Sequence, residues 1–257
     1  MKHKKPIFSF VFVLINVATF SQSSNLILSF NNNFGSEPLV FGKEYTNAHG
    51  ENLRFTLLNY FISNIELIRT DGSVYAIPQD SCYFLVKHNL PESRNIQLSV
   101  PAGKYKSLSF TIGIDSARNT QSADKRQGVL DVGGQARGMY WAWNSGYIFY
   151  KMEGKSSSLP DSINGFYYHI GGFGGFDSPT LNNIRIKKLE LAKTKVSAKK
   201  TPVLTITVDV AKFFNSQTPI KVTENRSIMW GPVSTQIADN YVDIFSLTHI
   251  HYKPGSK

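Results

Sequence analysis

The sequence predicts an all-β protein, an antiparallel β-sandwich with long loops and one or two short helices. Short apolar runs recur along the chain, and in residues 95–100 apolar and polar side chains alternate strictly. Turn signals such as Asp71-Gly72 separate these runs. No internal repeat and no obvious linker divides residues 22–257, so we expect this part of the chain to form one domain.

The same reasoning predicts the other elements in chain order. The expected strands are 25–30, 64–69, 74–77, 82–86, 105–114, 139–153, 164–171, 184–191 and 203–210. Residues 53–68 are ambiguous between helix and strand, and Ser63-Asn64 is a candidate break. We expect 184–191 and 203–210 to form a hairpin. Residues 211–214 suit a helical turn, and 236–245 place their apolar side chains on one helical face.

Residues 115–138 are polar, glycine-rich and without periodicity, which predicts a long surface loop. Loops of this length inside a compact domain tend to be functional or disordered. This one leads directly into the segment that holds two of the three tryptophans, Trp141 and Trp143.

Residues 1–21 are typical of a secretory signal peptide. A basic start at 2–5 precedes a short apolar run that ends at Phe20, and Thr-Phe-Ser at 19–21 is a small-x-small cleavage site. No cysteine lies near the cleavage point, which argues against a lipoprotein. No later segment is apolar enough to cross a bilayer. We therefore expect an exported protein, periplasmic or secreted, with no membrane span after cleavage.

The chain is basic, and the excess charge is concentrated in one segment. The formal net charge of +10 falls to +7 without the leader, because three lysines and no acid leave with it. In residues 185–200 only Glu190 opposes seven basic side chains. We interpret residues 193–202 as a solvated hairpin loop. We do not expect a nucleic-acid partner, because an exported chain without a matching motif is a poor fit.

Cys82 is the only cysteine, so no disulfide can form within the chain. It precedes a strand-like run, and a buried thiol that behaves as a small hydrophobic group is favoured over a soft metal ligand.

No signature of a catalytic site is present. The chain has no Gly-x-Ser-x-Gly, no Walker loop and no His-Glu-x-x-His. Residues 171–175 are glycine-rich, but they follow a β run and do not open a helix. A loop beside a site is therefore favoured over a phosphate cradle. We expect no enzymatic activity.

Histidines are the candidate metal ligands, because neutral imidazole suits copper and zinc. His169 lies at a predicted strand end, His49 lies in a turn, and His88 is a third candidate. For each of them taken alone, an ordinary hydrogen-bonded histidine is favoured. His249 and His251 would project from one side of an extended chain, and an exposed tail is the favoured interpretation of that pair.

Trp141 and Trp143 would share one face if their segment is a strand. Two indoles on one face either anchor a core or line a site. Exposed rings in a groove would favour a metal-free module that binds a carbohydrate or a peptide. Rings buried beside His169 would favour a metal site.

The chain resembles the MbnP-like family of periplasmic copper-binding proteins, which are associated with methanobactin operons. The most specific matching segment is GMYWAWNSGY at 138–147. The other matching segments are LLNYFISNI (57–65), GIDS (113–116), GVLD (128–131), EG (153–154), YHIG (168–171), VDV (208–210) and IADNY (237–241).

This resemblance implies a β-rich exported protein. Some members, and the related copper proteins MopE and CorA, bind copper with histidines and a kynurenine made from tryptophan. It also implies a di-haem partner enzyme of the MauG type that oxidises the tryptophan. On this sequence Trp141 or Trp143 would be modified, and His169 is the histidine inside a matching motif. His49 and His88 match no motif, and each is a candidate second ligand. The leading hypothesis is a non-catalytic protein that holds Cu(I) through histidine beside such a tryptophan.

Overall fold

The computed structural model describes residues 23–141 and 146–255 and confirms a β-rich sandwich. The predicted signal peptide, residues 1–21, lies outside the described residues. The strands are β1 (Ser23–Phe34), β2 (Glu37–Pro38), β3 (Glu44–Thr46), β4 (Asn52–Arg69), β5 (Val74–Ala76), β6 (Tyr83–Lys87), β7 (Asn95–Pro101), β8 (Gly103–Ile112), β9 (Tyr140–Trp141), β10 (Gly146–Ser156), β11 (Gly165–Gly171), β12 (Arg185–Val196), β13 (Lys200–Asp209), β14 (Ser227–Ile228) and β15 (Phe245–Pro254). The α-helices are α1 (Ser116–Asn119), α2 (Ala211–Phe214) and α3 (Pro232–Asp243).

The strands form two sheets. The smaller has the order β15-β13-β1-β2, with β7 also paired to β1. The larger has the order β12-β8-β4-β10-β11-β14, with β3, β5 and β6 paired to β4 and β9 paired to β10. Most pairs are antiparallel, as predicted. Two pairs, β1 with β13 and β11 with β14, are parallel.

Aromatic side chains join the two sheets across the core. Phe30 of β1 and Phe245 of β15 come from the smaller sheet, and Tyr60 of β4 and Phe110 of β8 come from the larger. Their ring centroids lie 5.4–6.3 Å apart in edge-on contacts. Such pairs add about 0.5–1.5 kcal/mol each beyond the burial of their area. The inner faces of the two sheets therefore share one core.

β4 resolves the ambiguity of residues 53–68 in favour of a strand. Ser63-Asn64 does not end it, because β4 runs unbroken from Asn52 to Arg69. Instead the register with β8 shifts between Ser63 and Glu66, and Asn64 takes a left-handed φ of 47°. Asparagine tolerates this conformation better than most residues, so the break signal marks a bulge within the strand.

The predicted hairpin of 184–191 with 203–210 is wrong. β12 pairs with β8 in the larger sheet, whereas β13 pairs with β1 and β15 in the smaller one. Only an isolated bridge between Ser197 and Lys200 joins them. Most of the basic segment, residues 185–196, is therefore β12 itself, and only residues 197–199 form the corner between the two sheets. Alternating apolar residues determine which side of a strand is buried, but they do not specify its partner.

The segment 115–138 is a packed cover on the outer face of the larger sheet, not a bare loop. It contains α1 and buries Leu130 and Ala136. The Tyr147 hydroxyl donates to the Leu130 carbonyl at 2.6 Å. The ammonium group of Lys87 donates to the Gln135 carbonyl at 2.7 Å. These contacts fasten the cover to strands that lie beneath it.

The predicted helical turn at 211–214 is confirmed. The helix predicted over 236–245 is present but runs from Pro232 to Asp243, and Phe245 begins β15 instead of completing the helical face. α2 covers 211–214, and α3 buries Ile237 and Tyr241 on the predicted face. α3 has 12 residues, and no helix in the described part of the chain is long and apolar enough to cross a membrane.

Cys82 is fully buried, as predicted. Its thiol lies 3.2 Å from the Gln79 carbonyl and 3.4 Å from Asn64 Oδ1. Burial raises the pKa of the Cys82 thiol, which keeps it protonated and poorly reactive.

A buried carboxylate ties the start of β4 to a distant segment. Glu51 accepts hydrogen bonds from the Val222 and Thr223 amides at 2.9 and 2.8 Å, from the Thr223 hydroxyl at 2.7 Å, and from Asn47 Nδ2 at 2.8 Å. Burial alone would raise the pKa of Glu51, but these hydrogen bonds outweigh it and the pKa is lowered.

We expect Glu51→Gln to lower the free energy of unfolding by about 1–3 kcal/mol at pH 7, because an amide cannot accept all four bonds. The folded-state pKa lies below the ordinary value of 4.5, so the carboxylate stabilises the fold above that pH. Its contribution is lost as the pH falls through the folded-state pKa. Urea unfolding of both proteins between pH 7 and pH 3 measures this. Glu224→Gln, at an exposed ion pair with Lys221, is the control and should change little. An equal loss in both variants would contradict this role for Glu51.

Candidate metal centre

His169 lies in a polar row on the outer face of the larger sheet. It pairs in register with Lys151 of β10, which pairs in turn with Asn59 of β4. The neighbouring residues Tyr168 and Tyr150 are buried in the core. Because side chains alternate along a strand, His169 and Lys151 face the opposite side.

Glu153 holds the His169 ring. Its Oε1 lies 2.8 Å from His169 Nε2 and 3.4 Å from the Lys151 ammonium. The His169 side chain is only 12% exposed, so the pair is largely shielded from water. A carboxylate only accepts hydrogen bonds. The ring therefore donates from Nε2, and in the neutral state Nδ1 keeps its lone pair.

The surroundings favour the neutral form of His169. Burial lowers the pKa of His169 below 6.5 and outweighs the hydrogen bond that the ring donates to Glu153, which raises the pKa, while Lys151 lowers it further. The imidazole is therefore neutral at pH 7, the state in which histidine binds metals.

Trp141 of β9 packs against Gly171, on the face of β11 that also carries His169. A methyl group placed on Gly171 would lie 2.8 Å from Trp141 Cζ3 and 2.6 Å from the Tyr147 carbonyl oxygen. The ring thus occupies the space that a side chain at position 171 would fill. Gly171 is two residues from His169, about 7 Å along the strand and on its side. Trp141 is 8% exposed. The indole is therefore buried against Gly171, on the same face of the sheet as His169.

The short β9–β10 hairpin that carries Trp141 is held by α1. Trp141 pairs with Gly146, and Asn119 Oδ1 accepts from the Tyr147 amide at 2.9 Å. Gly146 has φ +69°, and a Cβ there would lie 2.1 Å from Asn119 Oδ1. Only glycine fits at this point. Trp143 lies outside the described residues.

His49 lies at a different place on the larger sheet. Its Nε2 is 2.9 Å from the Phe214 carbonyl, and its amide donates to Asn47 Oδ1. Its turn immediately precedes β4, whose residue Asn59 lies in the His169 row. The seven residue steps from Asn52 to Asn59 along β4 span about 23 Å, which separates His49 from His169.

His88 lies on the opposite face of the larger sheet. Its Nδ1 is 3.2 Å from Asn32 Nδ2, and Asn32 Oδ1 accepts from the Tyr60 hydroxyl in the core. Burial, and then the nearby Arg94, lower the pKa of His88. Its neighbour Lys87 is three strands from His169 in the same row, about 14 Å away.

The three predicted histidines therefore occupy three separate places. Among residues 23–141 and 146–255, no group of three or more His, Cys, Asp and Glu side chains is close enough to hold a metal ion. The assignment of His49 or His88 as the second ligand remains a prediction. Among the described residues, Trp141 lies against Gly171, on the face of β11 that also carries His169.

Sequence analysis assigned no site role to Glu153, Lys151 or Trp230. The register of β10 with β11 places Glu153 and Lys151 next to His169, and the sequence does not specify that register. Trp230 packs against Gly172, where an added Cβ would lie 3.3 Å from its Cζ3. Two of the tryptophans thus lie against two consecutive glycines. The Gly171-Gly172 pair was the only sequence signal for this arrangement.

Comparisons with known proteins agree with this architecture. The MbnP family model matches residues 23–230. The solved structure of MbnP from Methylosinus trichosporium is similar, with a TM-score of 0.55 and 14% identity over 82% of each chain. At this identity the likeness concerns the fold alone. No curated protein matches the chain by sequence.

We expect Gly171→Ala to displace the Trp141 ring and to lower the free energy of unfolding by about 1–3 kcal/mol, because the added methyl meets a backbone carbonyl as well as the indole. Tryptophan fluorescence should shift to longer wavelength as Trp141 gains water contact. Gly103→Ala, in β8, is the matched control for stability, since neither glycine has a positive φ and a Cβ at Gly103 would meet its neighbours at ordinary distances of 3.6 Å or more. An unshifted spectrum in Gly171→Ala would contradict the packing described here.

Proposed function

Because the chain belongs to the MbnP family, we propose that it is an exported, non-catalytic copper-binding protein in which His169 holds Cu(I) beside a tryptophan that is oxidised to kynurenine. The observation that carries the proposal is the burial of Trp141 against Gly171, which lies two residues along β11 from His169 on the same face of the sheet. The periplasm is the proposed location, on the basis of the leader at 1–21.

The bonding of His169 supports the proposal. Metal-binding histidines commonly donate one ring N–H to a carboxylate, which fixes the tautomer and makes the other nitrogen a better ligand. The Glu153–His169 pair has this arrangement, with Nδ1 left as the ligand atom. Imidazole suits copper. The Lys151 ammonium beside Glu153 opposes a bound cation and would weaken the site.

The second Cu(I) ligand is proposed from the likeness to the family, and no contact among the described residues indicates it. Kynurenine formed at Trp141 or Trp143 would supply it, with His49 and His88 as the alternatives among the histidines. His49 and His88 would need a rearrangement, since each binds other groups at a distance from His169. A di-haem enzyme of the MauG type is the proposed oxidant of the tryptophan.

The alternative function, a metal-free module that binds a carbohydrate or peptide, is less well supported. It needs exposed indole faces for stacking, and Trp141 is 8% exposed.

We expect the protein isolated from its native host to bind Cu(I), and His169→Ala to weaken binding by about tenfold or more. Glu153→Gln should weaken it by about 10–100-fold while the fold is retained. Anaerobic titration against a chromophoric Cu(I) chelator measures both. Glu190→Gln, an exposed carboxylate on β12, is the matched control. His49→Ala and His88→Ala test the candidate second ligands. Parental affinity in His169→Ala would overturn the proposal.

We expect one tryptophan of the native-host protein to have gained two oxygen atoms and lost the elements of carbon monoxide, the mass balance of kynurenine formation. Peptide mass spectrometry should locate the change at Trp141 or Trp143 and leave Trp230 unchanged. Protein expressed without the di-haem partner should have the unmodified mass. An unmodified native protein, or a change confined to Trp230, would contradict this part of the proposal.

A further inference from the structure

A pair of histidines projects from the edge strand of the smaller sheet. His249 and His251 flank Ile250 on β15, and Ile250 packs against the core. Since side chains alternate along a strand, both histidines face outward. Their rings lie 5.6 Å apart between centroids, at 24° between planes, and both residues are exposed.

We propose that His249 and His251 form a bidentate surface site for a divalent transition-metal ion, with Cu(II) bound most tightly. Imidazole nitrogens bind Cu(II), Ni(II) and Zn(II), and affinity generally rises from Ni(II) to Cu(II) and falls again at Zn(II). The His249 and His251 rings are nearly parallel and already lie close together without an ion. Exposed side chains change rotamer within nanoseconds, so both rings can turn one nitrogen toward a common ion at about 2 Å. Water would complete the coordination.

The backbone fixes the spacing of the two ligands. β15 pairs with β13 through most of its length, with Thr205 opposite His249 and Val203 opposite His251. Val203, the cross-strand neighbour of His251, is 3% exposed, so the ladder partner of the pair is well packed. The ladder therefore holds the two histidines side by side before an ion arrives, which lowers the entropic cost of binding.

The surroundings limit the affinity. Lys253 follows on the same side of β15, two residues beyond His251, and its positive charge opposes a bound cation. Within the described part of the chain no third His, Cys, Asp or Glu joins the pair. We therefore infer a two-ligand site, weaker than a closed structural site.

This site is independent of the proposed Cu(I) centre. β15 belongs to the smaller sheet, and His169 belongs to the larger. Residues 249 and 251 also lie beyond the part of the chain that the family model matches. The two sites can therefore be tested apart.

The experiment uses the untagged mature chain, residues 22–257, carrying His169→Ala, which removes the proposed Cu(I) ligand. The leader is left out because its free amino terminus, Met1-Lys2-His3, would itself chelate Cu(II) and Ni(II). Calorimetric titration with Ni(II) and with Cu(II) should each give one ion per chain. The Cu(II) electron paramagnetic resonance spectrum should show hyperfine coupling to two nitrogen nuclei. His249→Ala and His251→Ala should each lower the Ni(II) affinity by about tenfold or more.

The matched control exchanges neighbours by combining His251→Tyr with Tyr252→His. It keeps two histidines in β15 but places their rings on opposite faces of the strand. Both positions are exposed, so the fold should survive, which circular dichroism checks. Loss of binding in this variant supports the site. Equal binding by the exchanged variant, or no ion bound by the His169→Ala parent, would overturn the proposal. Neither outcome depends on whether His169 binds Cu(I).

Discussion

The backbone ladder of β4 is the constraint on which the rest of the larger sheet depends. This strand has 18 residues and pairs with β3, β5, β6, β8 and β10. Its register with β10, and the register of β10 with β11, align Asn59, Lys151 and His169 in one row. A slip of one residue would exchange the two faces of a strand. It would expose Tyr150 or Tyr168 and bury charge without a partner. The same strand register therefore places the core residues on one face of the sheet and the candidate site residues on the other.

The outer face is unusual because it is polar and yet largely shielded. The 115–138 cover, the β9–β10 hairpin and Gly171 exclude water around His169 and Trp141. Desolvation keeps the imidazole neutral, and Glu153 orients it. The neutral imidazole of His169 and the indole of Trp141 thus lie on one largely shielded face of the sheet. The His249–His251 pair has the opposite character. It is exposed and depends on strand geometry alone. The first environment suits a tightly held ion, and the second suits a weakly held and exchangeable one.

The spacing of apolar residues along the sequence predicted those strands and helices in which buried side chains recur at a regular interval. Alternation identified β7, and the 3.6-residue period identified α3. The motif around Trp141 and the histidine in 168–171 located one half of the candidate site. Pairing between distant segments was not predictable in this way. β12 and β13 were assigned to one hairpin and lie in different sheets, because an alternating strand packs equally well against several neighbours.

The sequence by itself determined the β-rich class, the buried state of Cys82 and the two residues, Trp141 and His169, on which the proposed function depends. Each follows from residue type and short-range spacing, or from a motif that local residues define. Only the tertiary structure decided that Glu153 orients His169, that Gly171 makes room for Trp141, and that His49 and His88 lie elsewhere. These facts depend on strand register and sheet order. They arise from contacts between residues far apart in the chain, which no local pattern encodes.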